Sequence, residues 1–99
     1  MKIFVVEDDI VFAKSIKYYL GLNPDNEVEH YTNGKEALAN KYKNPDLIIL
    51  DYHLPGMNGN EIMKAFHKFN PKTFIIIMSS QGDIKIAVNL MRDGAFDYY

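Results

Sequence analysis

Four short runs of branched and aromatic apolar residues, each bounded by turn residues, constrain the fold of this sequence more than any other feature. The runs span residues 3–6, 28–31, 47–50 and 74–78. Three of them are almost continuously apolar, which is typical of strands buried on both faces of a parallel sheet. Polar residues interrupt the run at 28–31, and we therefore predict that this run forms an edge strand.

Segments of helical length separate the predicted strands. Apolar residues recur at helical spacing in residues 9–20, 34–42, 59–69 and 83–91. Asp83 is the expected N-cap of the last segment, while Gly21 and Gly94 are stop signals after the first and the last. Residues 96–99 begin a fifth strand. This alternation predicts an α/β fold in which helices cover both faces of an open parallel sheet.

Length and composition indicate one small globular domain. The 99 residues suffice for a single hydrophobic core, so we treat residues 1–99 as one domain. A hydrophobic content of 47% argues against disorder, and a net charge of −2 offers no basic surface for nucleic acid. No apolar run approaches the roughly 20 residues that span a membrane. The absence of cysteine fits a reducing compartment, and we expect a cytoplasmic protein.

Acidic and hydroxyl residues stand where three of the predicted strands end. The first strand ends in Glu7-Asp8-Asp9, the third in Asp51 and the fourth in Ser79-Ser80. Ligands of open parallel sheets bind beyond the carboxyl ends of the strands, so we expect these residues to line one edge. Crowded carboxylates repel one another, and oxygen ligands favour Mg²⁺ as the cation that relieves the repulsion. Taken singly, each feature also fits a helix start, an N-cap or a loop.

Four stretches of the chain together resemble the receiver domain of two-component response regulators. They are residues 5–9, 47–59, 76–80 and 93–98, and the segment 51–59 is the most specific of them. The resemblance implies a flavodoxin-like, doubly wound sheet of five parallel strands. It also implies that the chain is a signalling domain and not an enzyme. Such a domain accepts a phosphoryl group from a sensor histidine kinase or a phosphotransfer protein. Residues 94–98 resemble receivers joined to ATPase-type transcriptional activators.

The resemblance gives specific roles to the residues around the acidic cluster. Asp51 would accept the phosphoryl group on its carboxylate and would also bind Mg²⁺. Asp8 would be a direct ligand of the ion, and Glu7 would bind it through a water molecule. The resemblance implies that the main-chain carbonyl of His53 binds the metal ion. We expect the His53 imidazole only to border the site.

Two further residues match the positions that change conformation in receivers. Ser79 would move its hydroxyl group to a phosphoryl oxygen, and the ring of Tyr98 would then turn inward. Gln81 and the His53 side chain flank the site and could tune the loss of phosphate. No function is assigned to His30 or His67.

The end of the sequence departs from the family pattern. Receivers have a lysine three residues beyond the aromatic position and then a fifth helix, whereas Tyr99 is the last residue here. We therefore expect an incomplete last strand, no fifth helix, and exposed apolar residues such as Phe12, Ile16 and Tyr19. Such a surface would favour a homodimer or a swapped contact, and an effector domain would lie beyond the chain end.

Three alternatives share parts of this pattern. A phosphatase that forms its own aspartyl phosphate would have a second Asp in place of His53. A flavin carrier of flavodoxin type would need a phosphate-binding loop after the first strand, where the carboxylates of Glu7, Asp8 and Asp9 would repel a phosphate. A pseudo-receiver that acts as a protein-interaction module without phosphorylation stays open, although neither the acids nor the acceptor are lost here.

Overall fold

Strands and helices alternate through residues 1–79 and 84–98, which are the residues described in the computed structural model. The strands are β1 (Lys2–Val6), β2 (Glu27–Tyr31), β3 (Leu47–Asp51), β4 (Phe74–Met78) and β5 (Asp97–Tyr98). The α-helices are α1 (Ile10–Gly21), α2 (Gly34–Ala39), α3 (Gly59–Phe69) and α4 (Ile84–Asp93), and a 3-10 turn covers Lys41–Lys43. None of the described helices has the length and apolar character needed to cross a membrane.

All five strands belong to one parallel sheet with the order β2-β1-β3-β4-β5. The predicted α/β fold is therefore confirmed, and β2 is the edge strand that its polar residues indicated. The chain order reverses at β1, which has β2 on one side and β3 on the other. Ligands of doubly wound folds bind at such a switch point, beyond the carboxyl ends of the strands.

The two faces of the sheet bury two separate clusters of apolar side chains. Phe4 and Val6 of β1 belong to the larger cluster, which α2, α3 and α4 cover. Their neighbours Ile3 and Val5 belong to the smaller cluster, which contains Ala13 of α1. Successive side chains of a strand point to opposite faces, so the alternation along β1 explains why helices lie on both sides.

Helix α1 exposes much of its apolar surface. Ala13 is its one fully buried residue, and Ile16 packs against the smaller cluster. Phe12 is 46% exposed and Tyr19 is 71% exposed. The expectation of exposed apolar residues on this helix is thus confirmed for both aromatic residues.

The predicted single helix over residues 34–42 is wrong in its last three residues. Helix α2 ends at Ala39, because the side-chain amide of Asn40 donates to the Glu36 carbonyl at 2.9 Å and the main chain of Asn40 leaves the α region. Asn44 then adopts a left-handed conformation with φ of 55° directly before Pro45. A residue before proline is disfavoured in the α region, and Asn tolerates the left-handed one, so the helix cannot continue.

The predicted last helix differs at its C-terminal end. It continues to Asp93 rather than Met91, and Gly94 follows with φ of 122°, in the left-handed range that favours glycine. The expected N-cap, Asp83, lies outside the described residues.

Gly59, the first residue of α3, is packed against the segment that follows β3. Its N–H donates to the Tyr52 carbonyl at 3.0 Å. A Cβ atom at this position would lie 2.9 Å from the Cα of Tyr52 and 3.3 Å from the carbonyl oxygen of Asp51. The glycine therefore permits a close approach between α3 and the end of β3.

We expect Gly59→Ala to lower the free energy of unfolding by about 1–3 kcal/mol, because the Tyr52 main chain must move to admit a methyl group. Gly21→Ala is the matched control, since nothing lies within 4 Å of a Cβ there. That helical substitution should be neutral or stabilising by up to about 1 kcal/mol. Urea denaturation of both variants measures the difference, and equal effects would contradict the packing argument.

Candidate functional site

A cleft of about 470 Å³ opens at the carboxyl ends of β1, β3 and β4. It is lined by Glu7, Asp8, Asp9, Phe12, Asp51, His53, Met78 and Ser79. The register of the sheet brings them together, because Val6 pairs with Leu50 and Asp51 pairs with Met78. The residues that directly follow these paired positions therefore meet at one edge of the sheet, although they are far apart in the sequence.

Five of the six sequence-predicted site residues line this cleft. They are Glu7, Asp8, Asp51, His53 and Ser79. The sixth, Tyr98, pairs through its main chain with Ile77 of β4, and the placement of its ring lies outside the description. Ser80 and Gln81 also lie outside the described residues.

Three carboxylates converge in the cleft. One oxygen from each of Glu7, Asp8 and Asp51 lies within 4.8 Å of the others. Glu7 is only 5% exposed, whereas Asp51 is half-buried and Asp8 is exposed. This all-oxygen set fits Mg²⁺, which is bound by one or two carboxylates and keeps several waters. The open side of the cleft at Asp8 leaves room for those waters.

The protonation of Glu7 reflects this crowding. The pKa of its carboxyl group is raised from the ordinary 4.5 to about 7, and burial is the largest cause. The neighbouring Asp51 and Asp8 carboxyl groups add to the rise, whereas the hydrogen bond from the Asp9 N–H opposes it. That N–H donates to Oε2 of Glu7 at 3.3 Å. Among the described residues that line the cleft, none is a lysine or an arginine. The acidic lining of the cleft therefore suits a cation better than an anion.

This raised pKa predicts that the metal-free protein loses stability as the pH rises. Between 4.5 and about 7 the folded state binds more protons than the unfolded chain, so the free energy of unfolding falls with increasing pH. Thermal melts in chelator from about pH 5 to about pH 8 should show this fall. Glu7→Gln should remove that part of the slope, while the exposed Glu27→Gln should keep it. The same slope in both variants would contradict the assignment to Glu7.

Asp51 is held by the segment that follows it. The His53 N–H donates to Oδ1 of Asp51 at 3.1 Å, and the Tyr52 N–H donates to the Met78 carbonyl at 2.8 Å. The exposed His53 ring packs edge-to-face on Tyr52, with ring centroids 5.0 Å apart. The main chain at Asp51 is thus fixed to β4, and one carboxylate oxygen has a defined orientation.

Asp9 has a structural function in the helix that begins beside the cleft. Its Oδ1 accepts the N–H of Phe12 at 3.1 Å, which makes Asp9 the N-cap of α1. The third acid of the run is therefore accounted for as a helix cap, one of the explanations that the sequence left open.

Sequence reasoning missed a contact made to a residue of this site by His30, which does not itself line the cleft. Its Nε2 atom lies 2.7 Å from the main-chain oxygen of Glu7. The contact depends on how β2 pairs with β1, where His30 is opposite Val5. No motif in the sequence reveals that register, so the sequence offered no signal for this contact.

Comparison with known proteins gives a consistent set of matches. The family model described as the response regulator receiver domain matches residues 3–99. The chain is 32% identical over 99 residues to the transcriptional regulatory protein FlgR of Helicobacter pylori, covering all of this chain and 25% of FlgR. It therefore spans about a quarter of that relative.

Two solved structures have the same fold. A response regulator receiver domain protein from Clostridium thermocellum superposes with a TM-score of 0.90 at 31% identity, covering 98% of this chain and 79% of that one. The receiver domain of Francisella response regulator 1452 gives a TM-score of 0.87 at 30% identity, covering 98% and 80%.

Proposed function

Because the chain belongs to the response regulator receiver family of two-component systems, we propose that Asp51 accepts a phosphoryl group in the presence of Mg²⁺. The convergence of the Glu7, Asp8 and Asp51 carboxylates within 4.8 Å is the observation that carries this proposal. Receiver domains interact with histidine kinases or phosphotransfer proteins. We propose a phosphohistidine of such a partner as the donor.

The transfer needs one nucleophilic oxygen. The His53 N–H engages Oδ1 of Asp51, so we assign the attack on phosphorus to Oδ2. An O–P bond forms while the P–N bond of the phosphohistidine breaks, and the electron pair stays on the leaving imidazole. Phosphoryl transfer depends mainly on positioning and charge stabilisation, which the fixed Asp51 main chain supports.

The described side chains of the cleft do not stabilise the negative charge of the transferred phosphoryl group. Asp8, Asp51 and the His53 carbonyl are the proposed ligands of Mg²⁺, with Glu7 acting through a water molecule. When bound, this ion supplies the positive charge that stabilises the transferred phosphoryl group. Glu7, buried beside Asp51, orients that water and loses its proton when the cation binds, because positive charge lowers the pKa of a nearby carboxyl group.

Ser79 and Tyr98 are the proposed conformational switch. Ser79 follows β4 and lines the cleft, so its hydroxyl can donate to a phosphoryl oxygen on Asp51. Tyr98 lies in β5, whose main chain pairs with β4. A phosphoryl group adds negative charge and hydrogen-bond acceptors, and it favours the arrangement in which Ser79 has moved towards it.

The proposed output is outside these residues. FlgR is a transcriptional regulatory protein of which this chain matches a quarter, and we propose a transcriptional effector as the recipient of the signal. The domain itself is proposed not to turn over a substrate but to take part in the hydrolysis of its own acyl phosphate.

Incubation with acetyl phosphate and Mg²⁺ tests the proposal. One phosphoryl group should be added per chain, and chelation of the metal should prevent the reaction. Intact-protein mass spectrometry measures the product. Absence of any label with Mg²⁺ present, in protein shown to be folded, would contradict the proposal and favour a non-phosphorylated interaction module.

A further inference from the structure

The imidazole of His30 makes a short hydrogen bond beneath the acidic cleft. Its Nε2 atom lies 2.7 Å from the Glu7 carbonyl oxygen. A carbonyl oxygen can only accept, so Nε2 carries the hydrogen in this contact. His30 belongs to the edge strand β2, none of whose residues lines the cleft.

This bond extends the pairing of β1 with β2 past the end of the ladder. The Glu7 N–H donates to the Tyr31 carbonyl at 3.0 Å, which is the last main-chain bond between the two segments. After Tyr31 the chain turns towards Asn33, the N-cap of α2. The His30 side chain thus binds the Glu7 carbonyl at the point where β2 turns away, and both main-chain polar groups of Glu7 are held by β2.

The Glu7 carbonyl has a direct geometric relation to the residue proposed to bind Mg²⁺ directly, Asp8, and to the one proposed to bind it through water, Glu7. It belongs to the peptide unit that joins Glu7 to Asp8, and a peptide unit is planar and rigid. Fixing its oxygen therefore fixes the directions in which the chain leaves Glu7 and enters Asp8. These directions, together with the side-chain torsions, set where both carboxylates lie relative to Asp51.

We propose that His30 is a positioning residue for Mg²⁺ binding, which acts by orienting the peptide unit between Glu7 and Asp8. The inference rests on the proposed function, since it assigns the cleft to Mg²⁺. Groups that orient metal ligands through hydrogen bonds contribute about ten- to hundredfold to metal affinity. His30 acts through the main chain rather than on a ligand atom, so we expect about tenfold.

The chain contains a matched control for this contact. The Nε2 atom of His67 lies 2.9 Å from the Thr73 carbonyl oxygen, in a second imidazole contact with a main-chain oxygen. His67 and Thr73 line a different cavity, at the opposite end of β4. His67→Phe therefore removes the same kind of bond without touching the acidic cleft.

The experiment measures Mg²⁺ affinity by amide NMR titration in four proteins: wild type, His30→Phe, His30→Gln and His67→Phe. His30→Phe should weaken Mg²⁺ binding about tenfold, and His30→Gln, whose amide can still donate, should restore it to within about threefold of wild type. His67→Phe should lower the melting temperature but leave the affinity unchanged. Nitrogen NMR of the wild-type His30 ring should show the hydrogen on Nε2, a measurement that needs no variant.

Four outcomes would overturn the inference. Equal Mg²⁺ affinity in wild type and His30→Phe would remove the positioning role while leaving the proposed function intact. An equal loss of affinity in His67→Phe would show a general effect of stability. Failure of the wild type itself to bind Mg²⁺ would contradict the proposed function, and the inference with it. If His30→Phe does not fold, a hydrogen on Nδ1 rather than Nε2 in the wild type overturns the contact directly.

Discussion

Asp51→Asn is expected to abolish phosphorylation by acetyl phosphate. The substitution keeps the size of the side chain and an oxygen that can accept the His53 N–H, a bond of 3.1 Å in the wild type. It replaces the anionic Oδ2 with an amide nitrogen, which is not a nucleophile towards phosphorus because its lone pair is delocalised into the carbonyl. Loss of labelling would therefore follow from chemistry rather than from misfolding.

The measurement is the stoichiometry of phosphate on the intact protein, with and without Mg²⁺. Asp9→Asn is the control, since asparagine is also a good helix N-cap and Asp9 has no proposed part in the transfer. That variant should still accept one phosphoryl group. Equal labelling of Asp51→Asn and wild type would place the acceptor on another side chain.

The parts of the fold that the sequence predicted are those set by local patterns. Continuous apolar runs identify β1, β3 and β4 because a strand buried on both faces tolerates few polar residues. The polar residues of β2 identify an edge for the same reason. Helix α2 was predicted too long because the competition between the Asn40 side chain and the helical main chain has no periodic signature.

The sequence predicted which residues form the candidate site, but not how their burial and contacts affect their pKa values and positions. Parallel strands bring their carboxyl ends to one edge, so the meeting of Glu7, Asp8 and Asp51 follows from the fold class. The deep burial of Glu7 depends on side chains packed around it, and so does its raised pKa. The contact of His30 with the main chain of Glu7 depends on strand register, which the sequence does not specify locally.

Asp8→Ala is expected to weaken Mg²⁺ binding by at least about tenfold. Mg²⁺ is held by only one or two carboxylates, and even groups that merely orient metal ligands contribute ten- to hundredfold to affinity. Asp8 is the most exposed of the three converging carboxylates, so its removal leaves the packing of the buried Glu7 in place. Without Mg²⁺ the variant should be no less stable than the wild type, because one of the acids that raise the pKa of Glu7 is gone.

His53→Ala tests whether His53 contributes to the site through its main chain or through its side chain. The proposed ligand at this position is the carbonyl oxygen, and the N–H that donates to Asp51 also belongs to the main chain. The substitution removes only an exposed ring that packs on Tyr52. Mg²⁺ affinity in amide NMR titrations should therefore stay within about twofold of the wild type, since exposed rings contribute little to such a site. Loss of binding in His53→Ala would make the imidazole a ligand, and unchanged binding in Asp8→Ala would place the ion elsewhere.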